Sequence, residues 1–286
     1  MECIANVGAV LGEGPVWVVR EGALYWVDIP QKKVFRWNEV DGIRINEMAD
    51  HVCSIVPRVS GGFVGGGYDG MIAIDADFSI SSIAEPDAEA AGGRNRFNDG
   101  KVDRQGRFWA GTMDRTEQLA TGSLYRMDID LSWTQIDSGY RVTNGPAFSP
   151  DGQTFYHTDS ALQRIYAFNL GLDGNVSDRR IFAQFGEGQG YPDGMTVDAE
   201  GCLWVAFWDG WCIRRLSPSG EIVDEIATPV GRPTSCAFGG PELDELFITS
   251  ASRELSSDEF AAQPLAGGLF RTRPGMIGIA ERAFAG

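Results

Sequence analysis

Two carboxylates and two carboxamides stand at matching places in this sequence. In "TNGPAFSPDG" Asn144 lies eight residues ahead of Gly152, and in "YPDGMTVDAEG" Asp193 lies eight ahead of Gly201. The same count returns Asn98 before Gly106, Ser54 before Gly62 and Ser235 before Leu243, while Glu13 stands nine before Gly22. All six are polar. Glu13, Asn144 and Asp193 offer oxygen donors of the kind that Ca²⁺, Mg²⁺ and Mn²⁺ prefer, with water completing the shell. Gathered at one point, two carboxylates repel unless a charge compensates them, and a divalent cation is the economical compensator. The same side chains can equally bond strand-end amides and water, as Asn and Asp do near turns. On spacing alone the two readings stand level.

The elements that would bring these residues together repeat along the chain. Aromatic and β-branched segments "ALYWVD", "GFVGGG", "RFWAGT", "TFYHTD", "CLWVAF" and "ELFITS" centre on Tyr25, Val64, Trp109, Tyr156, Trp204 and Phe247, at spacings of 39, 45, 47, 48 and 43 residues. That period is close to the roughly 40–50 residues of a four-stranded propeller blade. A second strand follows each, at "VFRW", "MIAI", "LYRM", "IYAF", "IRRL" and "LFRT". No long stretch carries a helical apolar period, and 37 glycines suit many tight turns. The expected fold is all-β, a six-bladed β-propeller with four-stranded blades around a central channel, formed by residues 1–286 as one domain. The innermost strand of each blade lines the channel. The six polar positions would then converge as a ring at one mouth.

Other chemistries are poorly supplied. Only His51 and His157 are present, which excludes a three-histidine zinc centre. There is no GxSxG elbow and no P-loop, and "GGFVGGG" reads as close blade packing. His157, in "FYHTDS", and Asp159 beside it read as structural. Cys3, Cys53, Cys202, Cys212 and Cys236 lack CxxC spacing and read as buried free thiols. Cys53 and Cys236 alternate away from the channel. Arg96 precedes Asn98 by two positions, on the same side of an extended strand, where a guanidinium could hold a substrate oxygen or a loop carbonyl.

A formal charge of −16 opposes phosphate backbones and anionic lipid, so neither nucleic acid nor a membrane surface is an expected partner. The stretch "MECIANVGAVLGEGP" has neither a basic leader nor an apolar core, and the expected location is cytoplasmic. Oligomeric state is left open.

At "LGEGPVW", "RFNDGKVDRQGRFWAGTMD", "TNGPAFSPDG" and "YPDGMTVDAEGCLWVAFWDGW" the chain resembles the senescence-marker-protein/gluconolactonase/luciferin-regenerating family. The resemblance runs from about Leu11 to past Phe247. It implies a six-bladed propeller with one divalent metal, whose ligands fall on Glu13, Asn144 and Asp193, and with substrate contacts on Arg96 and Asn98. It departs from the family after "GTMD", where Thr116 takes the place of an expected Glu and Glu117 follows. "FYHTDS" and "RIYAFNL" look more like bacterial lactonases acting on pentonolactones.

The implied activity is hydrolysis of a sugar lactone, such as a pentonolactone or gluconolactone, to the aldonic acid in sugar oxidation. Asp193 would act as the catalytic base and Arg96 and Asn98 would orient sugar hydroxyls. Ca²⁺, Zn²⁺, Mn²⁺, Mg²⁺ and Fe²⁺ all suit the oxygen ligands. Two alternatives stand beside this reading. One is a non-enzymatic calcium-binding propeller. The other is a hydrolase of a different ester or an aliphatic lactone, with Trp208 and Trp211 as an apolar wall.

Overall fold

Six four-stranded antiparallel sheets follow one another round a ring in the computed structural model, which describes residues 1–87 and 93–286. This is the six-bladed propeller expected from the repeat. The inner strands of blades 1 to 6 are Gly12–Val18, Val52–Pro57, Asn95–Val102, Thr143–Phe148, Tyr191–Val197 and Pro233–Gly239. Each pairs with the aromatic strand that follows it, and each expected second strand takes the third place in its blade. The ring closes through blade 6, where Glu2–Ala5 pairs with Leu269–Thr272, so the first strand of the chain completes the last sheet. Among the described residues no helix is long and apolar enough to cross a membrane.

The apolar faces of the strands form the core between blades, with Trp26, Trp109 and Trp204 fully buried. In blades 3 and 5 the turn after the inner strand is fixed by a buried aspartate. Asp103 accepts from the main-chain N–H groups of Gln105 and Arg107 and from the Trp109 indole at 2.9 Å. Asp198 does the same for Glu200, Cys202 and Trp204, again at 2.9 Å from the indole. A carboxylate that caps its own turn and anchors the next strand's Trp sets the register of the hairpin. It thereby sets where Asn98 and Asp193, five residues earlier, leave the ladder.

The opposite end of the channel is covered by the last segment, residues 273–286. Gly278 donates to the Leu243 carbonyl, Ala199 to that of Ile277, Phe284 to that of Pro57 and Ala285 to that of Gly106, which ties the segment to blades 6, 5, 2 and 3. Glu281 reaches inward to within 3.1 Å of Lys101 Nζ, which also donates to the Met195 carbonyl at 2.8 Å.

Candidate active site

At the open end the inner strands enclose a chamber of about 360 Å³, lined by Glu13, Arg96, Asn98, Asn144 and Asp193. All five are 4–6 % exposed. They come from blades 1, 3, 4 and 5, so no pair of blades could build this surface alone. In every inner strand the pairing slips at this level: between Glu13 and Val16, Val52 and Ser54, Phe97 and Gly100, Asn144 and Pro146, Pro192 and Met195, and Pro233 and Ser235. An extra residue in one strand re-aims the side chains beside it. The slip turns Glu13, Asn98, Asn144 and Asp193 into the chamber. Gly145 permits it in blade 4, since its φ is +48° and a Cβ there would meet the Met195 methyl at 2.5 Å.

Two members of the expected polar ring do not join it. In blades 2 and 6 the slip falls at Cys53 and Thr234, so Ser54 and Ser235 come after it, opposite Gly66 and Thr249, whereas Glu13 and Asn144 come before it. Ser54 Oγ accepts from the Gly66 N–H at 3.2 Å. Ser235 packs against Gly194, where a Cβ would lie 2.1 Å from its hydroxyl oxygen. Of the two tryptophans proposed as an apolar wall, Trp208 lines the chamber. Trp211 packs over Gly231 and is 48 % exposed.

The chamber floor gathers buried carboxyl groups. Burial pushes the Glu13 carboxyl up to about 8, and the nearby Asp99 adds to this against the opposing Gly14 N–H and Arg96. Burial likewise raises Asp193 well above the usual carboxylate range, reinforced by Glu13 and Asp99. Among the described residues, neither Asp193 Oδ1 nor Asp99 Oδ2, both buried, has a hydrogen-bond partner. Buried carboxylate oxygens without donors are costly unless a cation or a proton meets them. His157 is fully buried beneath this floor, with Nδ1 3.2 Å and 3.1 Å from the carbonyls of Asn144 and Gly145. Burial lowers its pKa to about 3, helped by Arg179, so it is a neutral structural support, as its place in the sequence indicated.

Asp99 escapes a simple alternation rule, because the residue after Asn98 would point away in a regular strand. The slip between Phe97 and Gly100 instead leaves it buried beside the channel. Ser160, in the short turn after Thr154–Asp159, also lines the chamber. Asp159 itself accepts from the N–H groups of Arg141 and Val142 at 3.1 Å and 3.3 Å, the structural role expected of it. At the mouth stand Tyr191, the first residue of the blade 5 inner strand, and Arg141, Arg253 and Glu254 from the connecting loops, where no strand period marks them.

The departure after "GTMD" also has a structural account. Asp114 accepts from Thr116 Oγ1 at 2.7 Å and from the N–H groups of Leu119 and Gln118 at 2.9 Å and 3.1 Å. Thr116 is therefore a loop anchor. Glu117, at φ +59°, lines the chamber and lies 3.2 Å from Arg253.

The fold is thus a six-bladed propeller with two buried carboxylates, two carboxamides and an arginine lining one chamber at a channel mouth. The chain belongs to the SMP-30/gluconolactonase/LRE-like family, whose model matches residues 11–252. It is 39% identical over 289 residues to a 6-deoxy-6-sulfogluconolactonase of Pseudomonas putida, covering 100% of this chain and 99% of the relative. It is 36% identical over 296 residues to regucalcin of Xenopus laevis, covering 100% and 98%. Among solved structures, a calcium-binding protein, regucalcin, of Agrobacterium tumefaciens superposes with a TM-score of 0.93 at 25% identity, over 99% of this chain and 96% of that one.

Proposed function

We propose that the protein hydrolyses a sugar lactone to its aldonic acid, using a divalent cation held by Glu13, Asn144 and Asp193. The observation that carries this reading is Asp193 Oδ1, without a partner among the described residues and buried in a chamber whose other carboxylate, Glu13, is itself pushed up to about 8 by burial and by Asp99. Two such oxygens beside an amide oxygen fit a hard cation better than they fit each other. The family membership and the name of the Pseudomonas putida relative support the lactone.

A bound cation would polarise the lactone carbonyl as a Lewis acid. Asp193 accepts a proton from the water that attacks the carbonyl carbon, as a positioned carboxylate held ionised by the cation can. The bond from that carbon to the ring oxygen breaks, and the ring oxygen takes up a proton to become a hydroxyl. Arg96 and Asn98 orient the sugar oxygens. At neutral pH one proton is released for each ring opened.

The test is acid release at constant pH from pentono- and hexonolactones, with protein stripped of metal and resupplied with one divalent ion at a time. Cation-dependent opening of one lactone well above its spontaneous rate is the expected result. No acceleration with any ion, in protein that binds the ion, would support the calcium-binding reading, which the similar calcium-binding protein of Agrobacterium tumefaciens favours.

A second observation narrows the substrate. Arg253 is engaged by Glu117 and Glu254, both at 3.2 Å, whereas the Arg141 guanidinium lines the same mouth and has no ion-pair or hydrogen-bond partner among the described residues. An unpaired guanidinium at the substrate entrance of an acidic protein favours a lactone carrying an anionic group away from its carbonyl. The relative named for a sulfo sugar lactone is consistent with this. Arg141→Ala should raise KM for such a lactone by at least about tenfold, the scale of a charge-assisted hydrogen bond, and leave KM for the neutral sugar lactone unchanged. Equal effects on both would refute it.

A further inference from the structure

Four hydrogen bonds run in one direction through the chamber wall, across three blades. Arg96 Nη1 donates to Asn98 Oδ1 at 2.6 Å. Asn98 Nδ2 donates to Asn144 Oδ1 at 2.8 Å, and also to the Thr143 carbonyl at 2.7 Å. Asn144 Nδ2 donates to Ser160 Oγ at 2.9 Å. Ser160 Oγ donates to the Pro192 carbonyl at 2.6 Å, and Pro192 precedes Asp193. All four side chains in the series are buried.

The direction is fixed at both ends. A guanidinium can only donate and a main-chain carbonyl can only accept, so each group between them must accept on the Arg96 side and donate on the Pro192 side. This settles which way each carboxamide faces. For Asn144 it places the amide NH₂ against Ser160 and leaves the carbonyl oxygen, with one lone pair still available, as the atom able to meet a cation. A flipped Asn144 would aim two N–H groups at Asn98 Nδ2 and leave Ser160 without a donor.

We propose that Ser160 is the positioning residue of the cation site: its hydroxyl holds Asn144 with the amide oxygen available and, through the Pro192 carbonyl, fixes the strand that carries Asp193. The inference rests on the cation reading given above. It adds a residue outside the proposed ligand set, and one hydroxyl thus sets the orientation of a ligand from blade 4 and the position of a ligand from blade 5. Outer groups that orient ligands typically change metal affinity by about 10–100-fold when removed.

The experiment is calorimetric titration of metal-stripped protein with Mn²⁺ and with Ca²⁺, for the natural sequence, Ser160→Ala and Ser160→Thr, with the melting temperature of each stripped protein as a control. Ser160→Ala is expected to bind the cation about 10–100-fold more weakly. Ser160→Thr, which keeps the hydroxyl, is expected to restore most of the affinity. If the alanine variant does not fold, Ser160→Cys takes its place, since a thiol fills the site but hydrogen-bonds weakly, and the same loss is expected. Undiminished affinity in the alanine or cysteine variant would overturn the role of Ser160 alone. The same holds for a folded threonine variant as weak as alanine. A natural sequence that takes up neither ion would overturn the cation reading and this inference with it.

Discussion

Arg253 and Glu117 meet 3.2 Å apart across the mouth of the chamber, although they belong to blades 6 and 3, which face each other across the ring. The pair spans the route by which any ligand enters. It is a third or more exposed on both sides, so its own stabilisation is small, about 0–1 kcal/mol. Glu117→Gln is therefore expected to change KM by a few-fold, leave kcat unchanged, and reduce the dependence of kcat/KM on salt. Steady-state kinetics at two ionic strengths checks this. A variant with lowered kcat and unaltered KM would place Glu117 in the chemistry and remove it from the entrance.

Asp193→Ala should lower turnover by at least about 10²-fold, the scale of a positioned base, and weaken cation binding. Circular dichroism must remain native for the comparison to hold. Near-normal turnover would take Asp193 out of the mechanism.

Arg96→Ala is expected to act mainly on substrate binding. Its guanidinium also donates to the Phe97 carbonyl at 2.9 Å, so the variant loses the fixed end of the hydrogen-bond series as well as a contact. KM should rise by about tenfold or more, the loss expected of a charge-assisted hydrogen bond. An unchanged KM on the true substrate would contradict the assignment.

Asp114 sets an acid limit on the mouth loop. Burial would raise its carboxyl, but hydrogen bonds from Thr116, Leu119 and Gln118 outweigh burial and hold it at about 2, below the reference value of 3.8. A carboxyl lowered on folding contributes stability that is full above the unfolded pKa and fades as pH falls toward the folded one. The gap in stability between the natural protein and Asp114→Asn should be constant from pH 5 to 8 and close between about pH 4 and 2. Urea unfolding across that range is the measurement. A gap that persisted unchanged at pH 2 would show that the loop depends on shape and not on the charge.

The repeat was legible because each blade is marked twice, by its aromatic strand and by the turn ahead of it. Asp103 with Trp109 and Asp198 with Trp204 show why that spacing is rigid. Counting from those turns reaches the chamber in four blades. It fails at Ser54 and Ser235 because the count cannot see where along a strand the slip falls. Asp99 was hidden for the same reason, since a slip of one residue reverses the side that alternation assigns. Ser160 sits in a short turn after its strand, where no strand period marks it. Arg141, Arg253 and Glu254 lie on loops, where pairing imposes no period, and only their convergence in space reveals them.

Residues 273–286 make the molecule a cup and not a tube, with Glu281 and Lys101 as part of its base. A cup has one doorway for traffic in both directions. On the proposed reaction, the open-chain acid must back out past Arg141 and the Arg253–Glu117 pair before another lactone can enter. It carries a new carboxylate past those guanidinium groups. Departure, more than ring opening, would then set the pace once the acid accumulates, and the acid would compete with the lactone for the same entrance.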